Sequence, residues 1–186
     1  MEVSTQKPDS PFYSIPLAGL EAGMIAVLWM LAWLGSNSAW QQRSFWTAEN
    51  LLASTFYGGS AVRDGFSTGT ISGLALYLLV YSSLGCVFAA LFRLKLSPVR
   101  LLLASILAAL AWYYVSFHLI WKTLSPLVPL LHAERPTILG HVIYGAVLAR
   151  YPRYLPRFSD EPVSALPEPA GAASGEPDGR IENQPL

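Results

Sequence analysis

The sequence predicts an all-α integral membrane protein: a four-helix bundle with an interfacial amphipathic segment between its first two helices. Three observations predict it. Charged residues make up only 13% of the 186 and apolar types 53%, whereas a soluble domain carries about a quarter charged residues. The charges are also clustered, leaving uncharged runs at 22–42, 65–92 and 101–121, of 21, 28 and 21 residues. A helix of roughly 20 apolar residues crosses a bilayer core. Third, small residues recur at helical spacing inside these runs, as close helix packing in lipid requires.

Residues 1–15 read as a polar lead, 16–158 as the membrane domain and 159–186 as a tail. The first span is expected at 17–35. Its flank pairs Lys7 with Glu2 and Asp9, and its core holds an acid, Glu21. A cleaved signal peptide prefers a short basic flank and a core of about 7–15 apolar residues, so a retained span is the expectation. Glu21 lies about 200° around the helix from Gly19 and Gly23, at roughly 100° per residue. The glycines therefore define a packing face. Glu21 reads as a boundary acid near the cationic turn of Arg93, Lys95 and Arg100.

The segment 37–67 mixes Trp40, Phe45, Trp46, Phe56 and Tyr57 with amides and charges. Phe45, Leu52 and Phe56 fall near one helical face, and Gly58-Gly59 offers a stop. An amphipathic helix at the membrane surface and a loop folded over the bundle both fit. The second span is expected at 69–92. Its i+4 row reads Gly69, Gly73, Tyr77, Tyr81, Gly85, Ala89, and its small members would admit a neighbouring backbone.

The third span is expected at 98–121, with Ser97 as N-cap and Pro98 in the first turn. The stretch TLSPLVPLL, broken by Pro126 and Pro129, predicts a dipping loop or short re-entrant piece. The fourth span, 136–151, contains an uncharged run of only 14 residues, 136–149. It would reach about 21–24 Å against a core of about 30 Å. Gly145 is its packing glycine, and Arg150, Tyr151, Arg153 and Tyr154 would snorkel at its end. Three spans plus a re-entrant piece is the rival topology.

With four spans, Lys7, Arg93, Lys95, Arg100, Arg150, Arg153 and Arg157 share one side, against Arg43, Arg63, Lys122 and Arg135 on the other. The cation bias places both termini in the cytoplasm. Trp40, Trp46 and Trp121 suit the outer boundary and Tyr151 the inner; Trp29, Trp33, Trp112, Tyr113 and Tyr114 suit packing within spans. The tail carries acids at 160, 161, 168, 176, 178 and 182 against Arg180 alone, a composition expected to stay disordered.

Net charge is zero, so no basic stripe is available to neutralise phosphates and no nucleic-acid partner is expected. The single cysteine, Cys86, excludes an intrachain disulfide. Neither Gly-x-Ser-x-Gly nor a Walker loop occurs, which argues against an enzyme. The residues with the most chemical potential are the histidines. His118 and His141 fall at similar depth near the outer ends of spans three and four, with His132 and Glu134 in the connection. Two histidines on adjacent helices suit haem b, and a His–carboxylate group suits a divalent metal. Structural histidines, hydrogen-bonded across the bundle without a cofactor, are the main expectation.

The motifs AGLEAGM, NLLASTFYG and HVIYGAVLARY, between residues 17 and 151, resemble small four-span bacterial membrane proteins of unknown function. That resemblance implies the bacterial cytoplasmic membrane and transfers no catalytic residue. The expected role is structural, accessory or in assembly. Its partners would be the lipid bilayer and other membrane-protein subunits or further copies of the chain. An oligomeric transporter or channel subunit is a further alternative.

Overall fold

Within residues 11–63, 65–92 and 96–159, which the computed structural model describes, every regular element is a helix. The expectations placed on residues 1–10, Arg93, Lys95 and 160–186 lie outside the described residues. The elements are α1 Pro11–Trp40, α2 Thr47–Tyr57, α3 Thr68–Leu91, α4 Pro98–Val115, α5 Trp121–Leu124, α6 Leu127–Leu131, α7 Glu134–Leu148 and α8 Leu155–Ser159. A π-helical turn, Ser116–Ile120, joins α4 to α5 without a break. Three helical stretches are long and apolar enough to cross a membrane: Tyr13–Trp40, Thr68–Leu91 and Pro98–Leu124.

The boundaries differ from expectation in instructive ways. α1 begins at Pro11, so residues 11–15 belong to the helix rather than to a polar lead. It also runs on to Trp40, because neither Gly nor Pro interrupts Ser36–Trp40. The Gln41 amide donates to Asn37 Oδ1 (2.6 Å), supporting the last turn. α3 starts in a capping box: the Ser67 side chain accepts from the Thr70 N–H, and Thr70 Oγ1 accepts from the Ser67 N–H. Two orphan N–H groups of the first turn are thereby satisfied. α7 starts at Glu134, two residues before the expected 136, and ends at Leu148. Ser159 closes α8 and is not part of a tail.

Alternate helices run antiparallel. Gly19 and Gly23 of α1 meet Ala89, Gly85 and Ser82 of α3. Further along α1, Met30 touches Gly140, and the Trp33 indole donates to Pro136 O (3.0 Å), so α1 also packs against α7. α7 in turn meets α4, Gly145 lying against the backbone of Ser105 and Ile106. α1 is thus flanked by α3 and α7, and Ala18, Ala22, Ala26, Val27 and Met30 on it are fully buried. Across the remaining gap, Tyr77 and Tyr81 of α3, Trp112 of α4 and Phe117 of the π-helical turn line a small shared cavity.

α7 has 15 residues, about 22 Å of helix. At its start the volume of the bundle is completed by α2, packed along the first turns of α3, and by α6, packed on α2. At its other end Tyr151 is fully buried and donates to Phe92 O (2.9 Å), the carbonyl at the end of α3. Tyr151 is therefore not the exposed boundary anchor its position suggests. The open carbonyls at a helix C-terminus offer a hydrogen bond that no lipid headgroup has to supply.

The buried face of α2 also differs from expectation. Leu52 points inward, but Phe56 is 62% exposed and Phe45 precedes the helix, its ring against Gly35 of α1. The inward residues run from Glu49 to Ser54. Asn50 explains the rotation. Its amide donates to Gly65 O (2.9 Å), and its Oδ1 accepts from Thr70 Oγ1 (2.6 Å). A buried amide must be satisfied, and this satisfied knot ties α2, the following loop and α3 together.

Candidate functional site

The described residue types with most chemical potential gather at the end of the bundle where α7 begins. A cleft of about 50 Å³ opens there between the end of α1, the start of α2, α6 and the start of α7. Its polar side chains include Asn37, Ser38, Gln41, Arg43 and Thr47; Tyr77, Phe117 and His132 add rings. A polar cleft of that size has room for water.

Two tyrosine–histidine pairs lie in this half. His141, on α7, is 1% exposed. Its Nδ1 donates to Thr137 O (2.8 Å), which fixes the hydrogen on that nitrogen. Nε2 is then an acceptor and takes the Tyr81 hydroxyl at 2.8 Å. His132, after α6, repeats the logic. Nδ1 donates to Pro129 O (2.7 Å), and Nε2 accepts from the Tyr113 hydroxyl at 3.3 Å. The Tyr113 ring borders all three histidines, with centroids 5.2 Å from His141, 6.2 Å from His132 and 6.3 Å from His118.

His118 and His141 differ in environment. His118 lies in the π-helical turn, exposed, its ring stacked on Tyr114 at 5.4 Å, while His141 is sealed. His132 is nearer the core, against Phe117 at 4.4 Å, and Glu134 is exposed. Among the described residues no three His, Cys, Asp or Glu side chains group as metal ligands. Axial ligation by His141 would require Nε2 to give up Tyr81.

Glu49, on α2, adds a carboxyl to this end of the bundle. Its side chain is 2% exposed, and its Oε2 has no hydrogen-bond partner. Gly73 of α3 packs on the Glu49 backbone so tightly that an added methyl would fall on the carbonyl oxygen. Burial pushes the Glu49 carboxyl up to about 7, against a smaller opposing pull from a backbone hydrogen bond. A carboxyl in an apolar crevice disfavours its charged form, so this one changes charge near neutrality.

The packing glycines fall into two groups. Gly19, Gly23, Gly73, Gly85 and Gly145 lie where a side chain would strike a neighbouring backbone, whereas at Gly69 it would meet no neighbouring backbone, only the Ser67 hydroxyl closely and Ala53 and Ala61 at ordinary distance. Glu21 is half-buried and engaged by a partner. Tyr81 and Tyr144 were not singled out as site residues. Tyr144 donates to Tyr81 O (2.7 Å) while Tyr81 serves His141. The i+4 row of α3 carried the signal, since it puts Tyr77 and Tyr81 on the same face as the glycines. Comparison with protein-family models, curated proteins and solved structures finds no match.

Proposed function

We propose that the chain is a four-span protein of the bacterial cytoplasmic membrane with a structural, accessory or assembly role, acting through helix contacts, with both termini in the cytoplasm. The observation that carries this reading is the backbone apposition of α1 with α3 and of α4 with α7 at glycines. Close apposition of that kind associates helices in lipid, where no hydrophobic drive exists between them. The saturated hydrogen bonds of His141 add a second support, since both ring nitrogens serve the fold. α7 as the fourth span is supported by its ends: Pro136 lies level with Trp33 of α1, and Tyr151 reaches the last carbonyls of α3. A short span is accommodated by local thinning and by α2 and α6 beside its start.

An optical spectrum and metal analysis of the detergent-purified protein test the role. The expectation is no Soret band and no stoichiometric metal. A Soret band that disappears in His141→Ala would replace this reading with haem binding. Orientation is tested by a Ser97→Cys variant in a Cys86→Ser background: labelling of intact cells with an impermeant maleimide should fail, and labelling would reverse the topology.

A further inference from the structure

The opposite end of the bundle carries a larger concavity, between the start of α4 and the end of α7, enclosing about 640 Å³. Its walls are mainly apolar, including Leu101, Leu102 and Ala146, and Arg150 and Arg153 also line it. Both arginines are exposed, and neither has an acidic partner among the described residues. Pro98, in the first turn of the 18-residue α4, borders the same groove. The open N–H groups of that turn add partial positive charge.

This combination selects among anions. Two guanidinium groups match phosphate oxygens in a forked geometry. A free phosphate would leave the apolar walls in contact with water. A phospholipid would cover them with the first carbons of its acyl chains while its phosphate met the arginines. Basic pockets between spans at the cytoplasmic surface suit anionic headgroups for this reason.

We propose that the groove between α4 and α7 binds an anionic glycerophospholipid, its phosphate held by Arg150 and Arg153. The proposal rests on the four-span reading, which puts this end of the bundle at a bilayer boundary.

The test uses the full chain in nanodiscs of phosphatidylcholine mixed with phosphatidylglycerol, with retained lipid read by native mass spectrometry. The wild type should retain phosphatidylglycerol over phosphatidylcholine, and Arg150→Gln/Arg153→Gln should lower that preference about tenfold, a change of about 1.4 kcal/mol. Arg43→Gln/Arg63→Gln, at the other end, should retain it. Leu102→Glu, at a wall position already 38% exposed, should lose it with an unchanged melting temperature.

Equal retention by the Arg150/Arg153 variant, or equal loss in the Arg43/Arg63 variant, would overturn the site. Displacement of the lipid by about 1 mM inorganic phosphate would make it a simple anion site and overturn the lipid assignment. So would lipid that binds only to Asp160→Asn/Glu161→Gln, since the acidic tail would then be the occupant. Extraction of the protein from membranes by alkaline carbonate would instead refute the membrane reading itself.

Discussion

The two ends of this bundle use the same two kinds of contact in different proportion. Around Gly19, Gly23, Gly85 and Gly145, helices touch backbone to backbone. Around Asn50, Thr70 and His141, one glycine contact, Gly73 on the Glu49 backbone, is joined by a set of buried side-chain hydrogen bonds. The first arrangement suits a region where chains cross as uninterrupted helices, because every backbone polar group is satisfied internally. The second arises where the chain turns back through short elements and brings unpaired amides and carbonyls with it. Those groups must find partners within the protein, and Asn50 and Thr70 supply them. The buried Glu49 carboxyl and the three histidines lie in the second region, whereas Arg150 and Arg153 are exposed at the first.

The sharpest way to break this comparison is at the glycine contact. Gly85→Leu places a side chain against the Gly19 carbonyl and Gly23 Cα. It should cost roughly 3 kcal/mol or more and remove most folded protein from detergent extracts, as read by size-exclusion chromatography. Survival with an unchanged melting temperature would show that the α1–α3 contact is not what holds that end.

The two tyrosine–histidine pairs sharpen the comparison within the polar end. His141→Phe leaves the sealed Tyr81 hydroxyl without its acceptor and should cost about 1–3 kcal/mol. His132→Phe, beside a cleft that admits water, should cost about 0.5–1 kcal/mol. Thermal melts of the two variants in one detergent decide it, and equal losses would erase the distinction between a sealed and a wetted pair.

Glu49 gives the one effect with a pH signature. Its carboxyl is raised from 4.5 to about 7 in the folded chain, so the folded state binds more protons between those values. Stability should therefore fall as pH rises from about 4.5 through 7 and stay lower above it. Glu49→Gln should flatten that dependence and stabilise the protein at pH 8 by an amount on the order of 2 kcal/mol. A wild-type melting temperature that is constant from pH 5 to 8, or that rises, would contradict this.

Much of the helix inventory was legible in the sequence, because a long uncharged run is a local property. Residues 69–92 and 98–121 coincide closely with α3 and with α4 and its continuation. The glycine row of α3 was legible for the same reason: the 3.6-residue period puts Gly73, Tyr77, Tyr81 and Gly85 on one face. The partner of that face was not legible, since nothing local to 69–92 specifies α1 on one part and α2 on another. The inward turn of Asn50 and Glu49 was hidden too. Hydrophobic phase favoured Phe45, Leu52 and Phe56, and a polar knot with Gly65 and Thr70 overrode it.

The sequence by itself determined that this chain is helical and suited to a bilayer, with chemically capable histidines near one end. Those conclusions follow from apolar length and spacing, which each segment carries alone. Only the tertiary structure decided that His141 is sealed against Tyr81 while His118 is exposed, stacked on Tyr114. It also decided that Tyr151 caps α3 and that Glu49 is buried with an unpaired oxygen. The direction in which a polar side chain points is set by the partner that satisfies it, and that partner lies elsewhere in the chain.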